Sequence, residues 1–398
     1  MAAVRRKKER LVRSTDDSSD AKPTTPSADV KKKLASAEND LRKAKQLHLI
    51  PWPVVAAVTF CSGFMWVFAM RDVFSTGKHI NALDMPMQKF INSDVFYDDS
   101  KGWKSQKGGL SIIQGYTTDA NNMGGLLLRK VSGVAALAVH SHKLVPVLFQ
   151  ADDLHWGYGH FDAIFFASVI SNLALFVLYH NYYDDMKSAD ADGIANLVLI
   201  LMLTEAMILF IALLSRKISS ISNKVKMINT SGKPSNAIVA RIVGRTVAIV
   251  SSAICLIAIR DLFFPGQVIS RIPRDDVYLE WTGAFIHSPP IDSPEYEENY
   301  LEAPLFVGDK FVSQLCALHL ILSCLMKFTT AFFIKVGKDG SGKKKCKYFW
   351  KIQAITGLLL LFIFRLFAGA ATSASLDLRW HLMLIGYEAG MFCLYGFL

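Results

Sequence analysis

The chain is poor in charged residues and rich in apolar ones for its length. Of its 398 residues, 20% are charged and 52% are hydrophobic, and the mean hydropathy is +0.28. A soluble domain of this length buries a full core with fewer apolar residues than this. The composition therefore argues against an ordinary soluble protein and favours one that is embedded in a membrane.

Cysteine is scarce and its spacing is uninformative. Five of the six cysteines lie in apolar segments and the sixth, Cys346, lies between two lysines. The sequence contains no Cys-x-x-Cys pair and no Cys/His zinc spacing. The long polar loops contain no cysteine from which disulfides could form. We therefore expect no disulfide framework, no metal centre and no cofactor.

Three near-matches to catalytic motifs each lack a required feature. The glycine-rich segment 337–344 resembles a phosphate-binding loop, but Lys344 stands where the magnesium-binding hydroxyl residue belongs. Segment 190–196 faintly resembles the metal signature of CDP-alcohol phosphotransferases, but Ala189 replaces its first aspartate. The histidines between residues 140 and 180 do not form the boxes of membrane di-iron enzymes. We therefore name no catalytic residue, and the sequence favours a non-enzymatic role.

What the chain does contain is a series of long apolar segments. A transmembrane helix needs roughly 20 mainly apolar residues to cross a hydrocarbon core of about 30 Å. Seven segments meet this requirement, and they predict an all-α polytopic transmembrane bundle over residues 50–398. They are Pro51–Phe74, Phe161–Tyr183, Ile194–Ser215, Ile238–Phe264, Leu305–Val336, Lys351–Thr372 and Trp380–Leu398.

The basic residues indicate how these segments are oriented. Thirteen Lys/Arg occur in residues 1–47, five in the loop 216–235 and six in the loop 335–349. Short basic loops stay on the cytosolic side, so all three regions should be cytosolic. Seven crossings cannot place them on one side, whereas an eighth crossing at Leu126–Phe149 can. That segment contains two histidines and several basic residues, so we expect it to lie inside the bundle; a re-entrant or interfacial placement is the alternative.

The amino-terminal tail, residues 1–49, differs in composition from the rest of the chain. Its first 27 residues combine an RRKKER cluster with a Ser/Thr/Asp/Pro stretch, which is typical of disorder. Residues 28–48 have the period of an amphipathic helix that could lie on anionic lipid or form a short coiled coil. The far-side loops are expected at 75–125 and 265–304. Anionic lipid at the tail and loops, and further membrane proteins, are the expected partners, and nucleic acid is not.

Seven polar residues are predicted to lie inside the hydrocarbon. Isolated charges there are costly, so they should form pairs or line a wet cavity. The order of the spans suggests that Glu205 pairs with Arg245 and that Arg365 pairs with Glu388. The candidates are Glu205, Arg241, Arg245, Arg365, Glu388, His140 and His142.

These features favour an integral multi-pass protein of an internal membrane, such as the endoplasmic reticulum or Golgi. Its first predicted role is that of a carrier-like or a scaffold and assembly component. A membrane-embedded enzyme that modifies lipid through His140 and His142 is an alternative, and a transporter or pore is another. The organelle itself is open, because the polar loops on the predicted far side contain no glycosylation sequon.

Overall fold

The computed structural model describes residues 50–76, 79–96, 120–148, 158–222, 237–263, 307–336, 347–373 and 379–397. The tail with its predicted disorder, amphipathic helix and coiled coil lies outside these ranges. So do most of the predicted loops 75–125 and 265–304. Every regular element in the described residues is helical, as the apolar segments predicted.

Ten helices are numbered here in chain order. Seven of them begin or end close to a predicted span boundary, and α3 covers most of the segment Leu126–Phe149. The bounds are α1 Trp52–Phe74, α2 Asp84–Phe96, α3 Ala120–Leu148, α4 Tyr158–Asn181, α5 Tyr183–Ser188, α6 Asp192–Ser222, α7 Ala237–Phe263, α8 Val307–Val336, α9 Lys347–Ser373 and α10 Arg379–Phe397.

Six helices in the described residues are long and apolar enough to cross a membrane: α1, α4, α6, α7, α8 and α9. The seventh predicted span forms α10, in which a shorter apolar stretch covers Leu382–Leu394. The described part of the chain therefore fits a multi-pass membrane protein. The total of seven or eight crossings stays a prediction.

The outer surface of the bundle is apolar. On α4 the exposed residues Phe166, Ile170, Leu173 and Val177 recur at helical spacing, and α6 exposes Ile200, Met207 and Phe210 in the same way. A soluble protein rarely exposes continuous apolar stripes of this kind. Such stripes suit contact with lipid chains.

The central helix α3 has the opposite character. It packs against α1, α8 and α9, with further contacts to α2 and α4. Every side chain from Leu127 to His140 is buried, including those of Arg129 and Lys130. The sequence predicted a polar helix inside the bundle, and the structure confirms the helix and its burial. At a rise of 1.5 Å per residue its 29 residues extend over about 43 Å.

Close contact between α1 and α3 depends on a glycine. A Cβ atom at Gly133 would lie 2.9 Å from Val73 Cγ2 and 3.0 Å from the carbonyl oxygen of Ala69. Small residues at helix interfaces allow backbones in membranes to approach closely. Gly133 therefore brings the polar residues of α3 within hydrogen-bonding reach of α1.

Candidate functional site

Four polar residues of α3 lie on one face of that helix: Arg129, Ser132, His140 and Lys143. Their spacing of three, eight and three residues places them within one narrow stripe of a helix with 3.6 residues per turn. The stripe extends over about 21 Å of helix axis. We call these four residues the α3 polar column.

At one end of the column, Lys143 lies in a fully buried group that we call the central cluster. Its Nζ donates to Glu205 Oε2 at 3.1 Å and to Asn172 Oδ1 at 3.1 Å. Asn172 Nδ2 donates to the same carboxylate oxygen at 2.9 Å, and the Ser62 hydroxyl donates to Glu205 Oε1 at 2.6 Å. The cluster thus joins α1, α3, α4 and α6 through one carboxylate.

A π-helical turn at Val58–Ser62 interrupts α1 at this cluster. A π turn adds one residue to the helical turn and shifts the face that the following side chains present. Ser62 is the last residue of the turn and is completely buried. Such turns occur frequently at functional sites, and this one lies where α1 contributes to the central cluster.

His140 is the fifth member of the central cluster. Its Nδ1 lies 3.4 Å from Ser62 Oγ. Because the Ser62 hydroxyl donates its hydrogen to Glu205 Oε1, the His140 Nδ1–H acts as the donor to Ser62 Oγ. The other nitrogen, Nε2, is buried and has no hydrogen-bond partner among the residues that the structure describes. A neutral ring in this tautomer leaves Nε2 free to accept a proton.

At the other end of the column, Arg129 joins a second group of charges, the end cluster. Arg129 Nη2 donates to Asp72 Oδ1 at 2.7 Å and to Gln88 Oε1 at 2.9 Å. Arg71 binds both Asp72, with its Nη2 2.8 Å from Oδ1, and Asp84. The end cluster therefore connects the end of α1 with α2 and α3.

The adjacent Lys130 lies on a different face of α3. Its Nζ donates to the carbonyl oxygen of Val73 at 2.7 Å, in the last turn of α1. Carbonyl groups in the last turn of a helix lack intrahelical partners, and a cation there satisfies one of them. Lys130 thus has a structural role as a cap of α1.

Between the two clusters, Ser132 contacts His319 of α8. Ser132 Oγ lies 2.9 Å from His319 Nδ1, and both side chains are buried. His319 Nε2 is buried without a hydrogen-bond partner in the described part of the chain. His140 is close enough to His319 and Lys143 for electrostatic interaction. His140 of the column and His319 beside it therefore each have an open ring nitrogen.

A cavity of about 40 Å³ lies beside this part of the column. Its lining is mainly apolar, with a small number of polar residues. The polar residues that line it are Arg71, Asp72, Asp84, Ser132, Tyr179 and His319.

His142 differs from His140 although only two residues separate them. Its Nδ1 donates to the carbonyl oxygen of Ala138 at 2.6 Å, and Gln353 Nε2 donates to its Nε2 at 2.9 Å. Both ring nitrogens are therefore in use, and the ring also packs against Phe349. This arrangement fits a contact that holds α9 against α3.

The predicted partners of the two buried glutamates are wrong. Glu205 binds Lys143, and the Arg245 side chain is exposed. Glu388 accepts from Lys327 Nζ and from Ser251 Oγ, the latter at 2.9 Å, while Arg365 is exposed. The prediction assumed that spans adjacent in sequence supply the partners, whereas the cation that binds each glutamate comes from a helix that is not its neighbour in sequence. The Arg241 side chain lies outside the described residues.

Several residues of the site were missed in the sequence. Asn172 and Ser62 resemble ordinary polar residues in apolar spans, and Asp72 lies near the end of one. The polar residues of α3 could be recognised from the sequence, because their spacing places them on one face of a helix. His319 and Lys327 were visible as polar residues eight positions apart in one span. The aspartates near His155 and His160 cannot be assigned to the site, because they lie outside the described residues or on a helical turn whose side chains the structure does not describe.

Comparisons with known proteins add no relative to this description. No family model, no curated protein and no solved structure matches the chain. Within the described ranges, no three His, Cys, Asp or Glu side chains are grouped so that they could hold a metal ion. The candidate site is therefore the α3 polar column with the central and end clusters.

Proposed function

We propose that the protein is a multi-pass membrane carrier that transfers protons along the α3 polar column. One observation carries the proposal: His140, with an open Nε2, lies beside the completely buried ion pair of Lys143 and Glu205. Ionisable residues inside membrane proteins are costly and often form proton relays. A second open imidazole, that of His319, lies on the same route towards the end cluster.

The transfer step at His140 is a proton exchange with water. A hydronium gives a proton to Nε2, so that an O–H bond breaks, an N–H bond forms and the neutral ring becomes an imidazolium. The Nδ1–H keeps its hydrogen bond to Ser62, so the ring keeps its position. When a water molecule takes the proton from Nε2, the N–H bond breaks, an O–H bond forms and the ring returns to its neutral form.

We further propose eight crossings, with α3 among them and the amino-terminal tail in the cytosol. The basic tail and the basic loops 216–235 and 335–349 support this orientation, because all of them then face one side. Anionic headgroups of an endomembrane are the proposed partners of these regions.

Proton flux into vesicles tests this function. The full-length protein is reconstituted in phosphatidylcholine vesicles that contain a pH-sensitive dye, and valinomycin with a potassium gradient supplies the driving voltage. We expect faster acidification than in protein-free vesicles. His140→Gln should lower the rate about tenfold or more, because an amide retains a donor for Ser62 but cannot carry the proton.

His142→Gln is the matched control, since this histidine lies on the same helix with both nitrogens engaged. It should retain the flux of the wild-type protein at equal protein content. Vesicles that acidify no faster than protein-free ones would refute proton transfer. Equal flux in His140→Gln and the wild-type protein would refute the route through His140.

A scaffold role is the second candidate, and a different observation favours it. Three buried contacts join helices that are far apart in sequence: Lys143 with Glu205, His142 with Gln353, and Lys327 with Glu388. Such contacts fix which helices pack together. This role would be favoured if substitutions at each of the three contacts lowered stability and the wild-type protein showed no proton flux.

A further inference from the structure

The cavity beside α3 lies where the column meets the end cluster. Five helices supply its polar lining, and four of the residues are Asp72 from α1, Ser132 from α3, Tyr179 from α4 and His319 from α8. The Arg71 and Asp84 side chains complete the polar part, and Asp84 is the first residue of α2. The cavity is thus built from residues distant in sequence.

Its size fits water. A buried water requires on the order of 10–15 Å³ of space for its centre, and two to four polar partners. The cavity of about 40 Å³ can therefore hold about three waters. Such waters persist in proteins where they satisfy polar groups that lack other partners.

One polar group at the cavity has this need. His319 is 5% exposed, its Nδ1 contacts Ser132, and its Nε2 has no partner among the described residues. An unpaired buried nitrogen costs free energy that a water can recover. The carboxylates of Asp72 and Asp84 line the same cavity and can accept hydrogen bonds from the same waters.

We propose that this cavity is a water-binding site in which about three waters link the Asp72 carboxylate to His319 Nε2. Its role as the entry of the proton route rests on the proposed function. In that role a hydronium in the cavity gives its proton to Nε2, where an N–H bond forms and an O–H bond breaks. A neutral water remains, and the neutral ring carries its own hydrogen on Nδ1 towards Ser132.

Charged groups of both signs surround this histidine. The end cluster contributes two carboxylates and two guanidinium groups, and α3 adds the amines of Lys130 and Lys143. Tyr179 of α4 and His140 of α3 are the other titratable groups on this side, and Asp261 of α7 is close to Cys316 of α8. Of these groups, the Asp72 carboxylate favours a proton on His319 and the Lys143 amine opposes it.

Water contact at His319 can be measured without any transport. The full-length protein with ¹⁵N-labelled histidine is placed in phosphatidylcholine bilayers, and polarisation transfer from water protons to the ring nitrogens is followed by solid-state NMR. His319→Gln identifies the signal, because it removes one histidine from the spectrum. We expect the His319 ring signal to build up severalfold faster than that of His142, whose nitrogens are both bonded to protein.

Substitutions that fill the cavity test the same proposal. Val198 lines the cavity, so Val198→Ile should slow the transfer to His319 at least twofold and lower proton flux. Val134→Ile is the matched control, since Val134 is equally buried on α3 but does not line the cavity. Ala136→Val fills the same space from α3 and serves if Val198→Ile does not fold.

The outcomes separate the site from the function. A His319 signal that builds up no faster than that of His142 would overturn the water site, whatever the flux. Fast transfer that Val198→Ile slows, without a change in flux, would overturn the entry role and leave the water site in place. Fast transfer in a protein with no flux at all would refute the proposed function alone.

Discussion

Lys143 of α3 and Glu205 of α6 form an ion pair in which neither side chain is exposed, with Nζ 3.1 Å from Oε2. Asn172 and Ser62 supply the remaining hydrogen bonds of the carboxylate. A buried pair is favourable only when such additional bonds satisfy its polar atoms. The pair therefore depends on two neighbouring helices, α1 and α4, as much as on its two charges.

Lys143→Met should destabilise the protein by about 3–5 kcal/mol, because it leaves the Glu205 carboxylate buried without its cation. The double variant Lys143→Met/Glu205→Gln should recover most of this loss, since the glutamine oxygen can accept from Ser62 while its NH2 donates to Asn172 Oδ1, which has lost Lys143 as its donor. Thermal unfolding in detergent measures both variants. Arg245→Ala, which removes the partner expected from the sequence, should leave the unfolding temperature unchanged. A large loss in Arg245→Ala would contradict the pairing.

Exchanging the charges of Lys327 and Glu388 should retain a stable protein, whereas Lys327→Glu alone should not. Either single change places two like charges side by side in a buried site, and the exchange restores attraction. Protein abundance in membranes and thermal unfolding are the measurements. Arg365→Gln should change stability by no more than about 0.5 kcal/mol, because that side chain is exposed. Exchanging the charges of Arg365 and Glu388 instead should not give a stable protein.

Gly133→Ala should destabilise the contact of α1 and α3 by about 1–3 kcal/mol, as overpacking of a close helix interface does. The added methyl would lie 2.9 Å from Val73 Cγ2 and 3.1 Å from Asp72 Cβ. Gly390→Ala is the control, because no atom lies within 4 Å of a Cβ built there. Both variants are compared by thermal unfolding. If they have equal stability, α1 and α3 are less closely packed than the structure describes.

Single cysteines at Ser111, Asp152, Ser222 and Ser293 test the eight crossings. In a background without the six native cysteines, a membrane-impermeant maleimide should label Asp152→Cys and Ser222→Cys from the side of the amino-terminal tail. It should label Ser111→Cys and Ser293→Cys from the opposite side. Labelling of Asp152→Cys together with Ser293→Cys would remove α3 from the crossings.

The sequence predicts the helices better than their contacts. Length and hydropathy of each apolar segment determine whether it can span a bilayer, and these are local properties. The burial of α3 was also predictable, because its polar residues could not face lipid. The distribution of basic residues was the reason to count α3 among the predicted crossings.

The pairing of buried charges was not predictable in the same way. Glu205 and Lys143 are 62 residues apart, and Gln353 and His142 are 211 apart. Which helices become neighbours depends on the fit of their surfaces, as at Gly133, and on irregularities such as the π turn that ends at Ser62. Neither follows from the order of spans, so the sequence assigned the glutamates to the wrong cations.

The burial of α3 also affects how the protein is made. A helix enters the bilayer alone when lipid solvates its surface, and a cation at its centre costs about 2.5–3.5 kcal/mol during insertion. α3 contains Arg129, Lys130 and Lys143, whose acceptors lie on α1, α4 and α6. During synthesis, two of those helices emerge from the ribosome after α3 does. In the proposed eight-crossing topology Lys143 therefore has no acceptor until α4 and α6 have been made, and we expect α3 to be held at the insertion machinery until then.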